Sequence, residues 1–221
     1  ASGAGASGDG DLVDAPCQRL EGGVWSAEKL SLLEKNYETG EPMPEGIVNG
    51  MIAARKLQRS IKAEVQMFDG MSDQAYHTDP DGVVDTTQVG YDVYDATQMY
   101  SHVPESWFQA GFGHLTGYQA GYYGYMWSLV YAQDMFQRFK ELGMLDPDAG
   151  AYYREKILSK GGTMDGLDLV RGYLGREPSM DAFLKSLGLD DMSPSALDLT
   201  GATVYGEAET SDSGLQCCAI T

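Results

Sequence analysis

The feature that most limits what this chain can fold into is its apolar spacing. In "PEGIVNGMIAARKLQRSIKAEVQMFDGMSDQAYHT", Ile47, Met51, Ala54, Leu57, Ile61, Val65 and Phe68 recur every three or four residues, the period of one helix face. The same period returns on either side. "SAEKLSLLEKNYETG" carries Leu30, Leu33 and Tyr37 behind Ser26, and is stopped by Gly40 and Pro42. "YMWSLVYAQDMFQRFKELG" predicts a helix ending at Gly143, "DAGAYYREKILSKGG" and "SMDAFLKSLGL" predict two more closed by glycine, and a short one is expected around "YDVYDATQMY". Pro16 in "APCQRLEGGVW" suits a first helical turn. The alternating pattern of strands is almost absent, so the expected fold class is all-α, a helical bundle.

Composition narrows the partners. With 221 residues, 43% of them apolar, the chain can bury a sizeable core. Its 33 acidic against 15 basic residues give a net charge of −18, which disfavours nucleic acid and anionic membranes and suits neutral or cationic ligands. No apolar run approaches a membrane span of ~20 residues. Three cysteines, two of them adjacent at the end, do not form a disulfide framework and point to a reducing compartment, the cytoplasm or an organelle. The Gly, Ala and Ser text of residues 1–10 reads as a flexible lead-in without a signal peptide, 11–192 as the folded part, and the polar, non-periodic 193–221 as a loose tail. The start at Ala1 suits a piece of a longer chain. The final "CAIT" after Cys217 has the outline of a prenylation site, although Thr221 is an atypical last residue and no polybasic segment precedes it.

Two segments carry chemistry. "GFGHLTGYQAGYYGYMW", residues 111–127, holds five glycines, four tyrosines, a histidine and a tryptophan. Tyr118, Tyr122 and Tyr125 stand at i, i+4 and i+7, which aligns three phenols if the segment is helical, with His114 four residues ahead. Such a stripe fits core packing, and it equally fits a set of donors for a developing oxyanion. In "DLVDAPCQRLE", Asp14, Gln18 and Glu21 share one helical face; the two carboxylates suit either a bound cation or a solvated acidic face.

In this order the two segments resemble the C-terminal part of the catalytic domain in the thimet oligopeptidase and neurolysin family of zinc metallopeptidases. That family reads D-F-V-E-x-P-S-Q-x-L-E where this chain reads Asp11-Leu12-Val13-Asp14-Ala15-Pro16-Cys17-Gln18-Arg19-Leu20-Glu21. The match continues through "NYETGEPMP", "FDGMSDQAYHTDP", the glycine-tyrosine run and "YYREKILSKGGTMDGLDLVRGYLGREPSMDAFL", covering roughly residues 11–190. The resemblance implies the family's helical bundle, short peptides as substrate, and zinc as cofactor with Asp14 at the third ligand position. It implies that His114 and Tyr125 hydrogen-bond the scissile peptide and its oxyanion, that Tyr118 and Tyr122 hold the peptide backbone, and that glycines such as Gly121 let the loop close on substrate.

The chain departs from that pattern in three places. Its histidines, His77, His102 and His114, include no pair four residues apart, so H-E-x-x-H is absent. Asp14 stands where the family has Glu, and the loop has one glycine fewer than H-x-x-G-G-Y. Two function classes follow: part of an active zinc endopeptidase whose zinc-binding helix comes from an upstream segment or another chain, or a decayed relative that binds peptide or serves as a structural subunit. In both, the 221-residue chain alone is expected to be inactive. One carboxylate cannot replace the three protein ligands of a catalytic zinc site. The purified chain is therefore expected to hold no stoichiometric zinc by atomic absorption; one-to-one, chelator-sensitive zinc would contradict this.

Overall fold

The computed structural model describes residues 12–189 except 56, 58, 81 and 83; the expected lead-in, the tail and its "CAIT" lie outside the described residues. Among those described, ten α-helices form and no strand does. They are α1 (Ala15–Val24), α2 (Ala27–Leu33), α3 (Glu45–Ala54), α4 (Arg59–His77), α5 (Thr86–Thr97), α6 (Phe108–Gly111), α7 (Gly124–Leu142), α8 (Pro147–Tyr153), α9 (Gly166–Leu174) and α10 (Asp181–Leu187). One isolated antiparallel bridge, Lys35 to Pro42, closes the turn after α2. The all-α expectation holds.

Local chemistry sets most helix ends. Ser26 accepts the Lys29 N–H at 3.2 Å, Asp146 that of Ala149 at 2.7 Å, and Asp165 those of Leu167 and Asp168 at 3.0 and 3.2 Å, so short polar side chains satisfy the first orphan donors of α2, α8 and α9. At the other end, α9 and α10 stop where Gly175 and Gly188 turn left-handed, with φ of 70° and 83°. After α8 the backbone widens into a π-helical turn, Arg154–Leu158, which buries Ile157.

Several boundaries differ from the sequence pattern. The long periodic stretch is two helices, α3 ending at Ala54 and α4 beginning at Arg59. Arg55 sits at the break, its guanidinium 4.8 Å from the Trp25 ring centroid and 3.9 Å from Glu21. Ile47 of α3, Leu57 in the break, and Ile61 and Val65 of α4 are exposed; α3 buries Val48, one residue off the expected stripe, and α4 buries Phe68 of that stripe together with Gly70, Ser72 and Asp73. Tyr37 is 92% exposed, four residues past the end of α2. α9, which glycine at both ends disguised, reads Leu167, Val170 and Leu174 at helical spacing behind the Asp165 cap.

The core is built around α7. Tyr131, Ala132, Met135, Phe136 and Phe139 meet Leu12 and Ala15 from the start of the chain, Ala149 and Tyr153 of α8, and Leu169, Val170 and Tyr173 of α9. Arg19 is buried among them, its guanidinium carbon 3.5 Å from the Phe139 ring centroid and 4.8 Å from that of Tyr153, so aromatic faces replace part of the water it lost. A second buried charge locks the far end: the Asp134 carboxylate, 2% exposed, receives Arg176 through Nη1 at 2.8 Å and Nη2 at 2.5 Å, and the Ser179 N–H at 2.8 Å. That fork ties α7 to the turn leading into α10.

Removing one partner of such a pair strands the other. Arg176→Met should cost about 3 kcal/mol in urea unfolding, and adding Asp134→Leu should recover a large part of it, since an uncompensated buried carboxylate is worse than an apolar pair. Additive losses in the double variant would contradict that account.

Candidate functional site

The site begins on α4. Gln66, Asp69, Gly70 and Asp73 stand at i, i+3, i+4 and i+7, so they form one stripe along the helix. Every member meets the glycine-tyrosine loop. Gln66 Nε2 donates to the Tyr122 hydroxyl at 3.1 Å, and the Asp69 carboxylate lies close enough to the same hydroxyl to interact with it. Gly70 packs against the backbone of Tyr123, whose Cα would be in ordinary van der Waals contact, 3.5 Å, with a Cβ there. Asp73, fully buried, accepts the N–H of Ala120 and the N–H of Tyr122, each at 2.9 Å.

Those bonds hold a backbone that would not hold itself. Ala120 has φ of 58°, the left-handed region that costs a side-chain-bearing residue roughly 1–2 kcal/mol. Its N–H goes to Asp73 and its carbonyl accepts Gln74 Nε2 at 2.9 Å, so both ends of the strained residue are fixed from α4. Ahead of it, Gly113–Thr116 makes one 3-10 turn, and α7 does not begin until Gly124. The three phenols therefore do not share a helical face. A turn brings them together instead.

The resulting cluster is compact. The His114 ring stands edge-on to Tyr122 at 4.8 Å and to Tyr125 at 5.8 Å between centroids; Tyr122 and Tyr125 are 5.0 Å apart, and Tyr118 and Tyr125 are 5.6 Å apart. The Tyr125 hydroxyl lies 3.4 Å from His114 Nε2, too long for a strong hydrogen bond and short enough for one ligand atom to meet both. Gly121 has its own part. A Cβ there would meet the Tyr118 ring at 3.1 Å, so the missing side chain lets that ring fold over the backbone. From the other side, Gln18 Nε2 of α1 donates to the Tyr125 carbonyl at 3.0 Å and ties the loop's exit to the first helix.

Beside the cluster lies a cavity of about 530 Å³ open to solvent, lined by Asp69, Phe112, His114, Tyr118, Tyr122 and three glycines. Burial raises the Asp69 carboxyl above the usual carboxylate range, with the Tyr122 hydroxyl and the His114 imidazole pulling it part of the way back. Burial and the neighbouring Asp69 push the Tyr122 phenol up to about 12, so it stays a neutral donor. Its hydroxyl is engaged inward with Gln66 and Asp69, while its ring forms cavity wall.

Of the residues singled out in the sequence, His114, Tyr118, Gly121, Tyr122 and Tyr125 come together here. Asp14 does not join them in a metal-holding group. It caps α1 without a side-chain bond to that helix, and Glu21, expected to face the same place, is exposed and reaches Arg55 instead. Among the described residues no three His, Cys, Asp or Glu side chains converge as metal ligands. His77 is engaged with Asp73, 3.1 Å from its carboxylate, and His102 with Asp95 at 2.8 Å while stacked on Tyr91. The donor set present thus does not fit a zinc ion by itself. Sequence reasoning assigned no role to Gln66, Asp69 or Asp73, although their spacing with Gly70 on a helix was the available signal.

Fold and cavity together define the class: an all-helical domain with a loop-built cleft that offers phenol and imidazole groups to a polar ligand. Residues 3–189 match Peptidase family M3, and the chain belongs to that family. It is 34% identical over 186 residues to oligopeptidase A of Escherichia coli, covering 81% of this chain and 27% of that protein. It is 36% identical over 188 residues to saccharolysin of Saccharomyces cerevisiae, covering 82% and 26%. It is 33% identical over 194 residues to an organellar oligopeptidase A, chloroplastic/mitochondrial, of Arabidopsis thaliana, covering 84% and 24%. The chain spans about a quarter of the length of these relatives. Among the described residues no helix is long and apolar enough to cross a membrane.

The raised Asp69 carboxyl has a measurable sign. Its unfolded counterpart ionises first, near the ordinary value of about 3.9, so stability is lost as pH rises from there through the higher folded value. The unfolding free energy of Asp69→Asn minus that of the natural chain should therefore climb with pH from about 4 upward and then level off. A difference that is flat or falls across that window in urea titrations would contradict the burial of this carboxylate.

Proposed function

We propose that this chain is the C-terminal part of the catalytic domain of a zinc oligopeptidase that hydrolyses short peptides, working in the cytoplasm or an organelle. The carrying observation is the meeting of His114 and Tyr125 at 3.4 Å beside a cavity, on the loop that most strongly marks the family resemblance. A peptide lying along the cavity would pass the Tyr118 ring and the Gly121 backbone on one side and the Tyr122 wall on the other. Its reacting carbonyl would sit between the Tyr125 hydroxyl and His114. Both are able to donate to an oxyanion. Zinc, when bound, would supply Lewis-acid activation of water and carbonyl. In this chain only Asp14 is placed by resemblance to ligate it, and the other ligands would have to come from an upstream segment or a partner carrying H-E-x-x-H.

A second reading, a non-catalytic peptide-binding or structural subunit, is favoured by the histidines: none pairs at the four-residue spacing, and Asp14 replaces the longer Glu. The two readings share the peptide cleft and differ in turnover. In an assembly where the zinc-binding helix is supplied, Tyr125→Phe should leave KM nearly unchanged and lower kcat by roughly 10²–10³-fold, the range for removing one preorganised donor. A Phe variant with the natural turnover rate would remove the transition-state role of this hydroxyl.

A further inference from the structure

The carboxylate on the cavity wall has no counter-charge of ordinary kind. Among the described residues no lysine or arginine pairs with Asp69, and the polar groups near it are the neutral Tyr122 phenol and the His114 imidazole. A carboxylate offers about four lone-pair sites, so one phenol leaves acceptor capacity toward the cavity it lines. The same cavity is lined by the rings of Phe112, Tyr118, Tyr122 and His114 and by glycine backbone. Aromatic rings attract both the apolar stem and the charged head of a long cationic side chain. A net charge of −18 concentrates cations around the whole molecule and adds to the approach rate. The position itself was reserved for this loop: Asp69 is one helical turn from Asp73, which binds loop amides, and from Gln66, which binds the same Tyr122 hydroxyl.

We propose that Asp69 makes the cavity a subsite for a cationic group of a bound peptide, the ammonium or guanidinium of a Lys or Arg side chain or a free α-amino terminus. This rests on the peptide-binding reading above and adds to it the class of peptide preferred. The carboxylate accepts the cation's N–H bonds, the rings cover its stem, and the Tyr122 hydroxyl keeps the carboxylate oriented. About 530 Å³ exceeds what a terminal amine needs and leaves room for an arginine-sized side chain.

The test is direct binding to the 221-residue chain by fluorescence anisotropy at physiological salt. The probes are dye-labelled, N-acetylated hexapeptides with one Lys moved through successive positions of a neutral background, their norleucine counterparts, and a norleucine peptide with a free amino terminus. At one Lys position the chain should bind roughly tenfold more tightly than the norleucine counterpart, the scale of one charge-assisted hydrogen bond in a half-buried site. Asp69→Asn should erase the difference between each Lys peptide and its norleucine counterpart, whatever it does to the affinity common to both. A gain confined to the free-amine peptide keeps the subsite and assigns the cation to the terminus. Equal affinity of every Lys and norleucine pair in the natural chain, which needs no variant to observe, overturns the subsite while leaving peptide binding intact. A Lys preference that survives in Asp69→Asn also overturns it, since the acidic surface at large would then be the cause. Absence of binding by all peptides overturns both the subsite and the peptide-binding reading.

Discussion

A single buried carboxylate holds the site in shape. Asp73 sits on α4 with no exposed surface and accepts two consecutive-but-one loop amides, those of Ala120 and Tyr122. A charge so placed is tolerable only because its two oxygens accept these amides; His77 Nδ1 bonds the Asp73 backbone carbonyl at 2.7 Å and lies 3.1 Å from the carboxylate. In return it fixes a left-handed Ala120 that no helix or strand would stabilise. The consequences run outward from there: Tyr122 is set against Gln66 and Asp69, its ring against His114 and Tyr125, and the cavity opens between them.

Two groups of packed helices meet at this loop. On one side, α1, α7, α8 and α9 share the aromatic core around Met135 and Tyr173, and α1 reaches the loop through Gln18 and the Tyr125 carbonyl. On the other, α4 presents its polar stripe, backed by Phe68, whose ring packs 4.5 Å from Phe108 and 5.2 Å from Tyr94. The loop belongs to neither. Its glycines allow the close approaches and its side chains supply the groups, while the flanking helices supply the precision that a loop lacks by itself.

The parts of this arrangement readable in the sequence are those governed by local rules. Apolar periodicity and the Ser26 cap announce α2, and the same periodicity with Gly143 announces α7, because a few neighbouring residues decide each outcome. The cluster of His114 with three tyrosines was legible as a concentration of chemistry in 111–127, but not its geometry. The expected stripe of phenols needs a helix, and the structure makes a turn, since the N–H groups of Ala120 and Tyr122 are claimed by Asp73 from a different element. Asp69 and Asp73 stayed hidden for a related reason. In a chain with 33 acidic residues, two carboxylates on a long amphipathic helix look like solvated surface until the loop is seen to cover them. Family resemblance adds expected roles for residues that physics alone left open, Asp14 among them; among the described residues no companion ligand stands beside it.

The most direct measurement of the central claim is amide hydrogen exchange in the loop. If Asp73 holds it, the Ala120 and Tyr122 amides of the natural chain exchange at least roughly tenfold more slowly than that of Gln119, which directly precedes them in the loop and makes no bond to Asp73, and Asp73→Ala removes the difference while α7 amides stay protected. Ala120 and Tyr122 amides that exchange as fast as Gln119 in the natural chain, or that keep their protection in Asp73→Ala, would contradict the account.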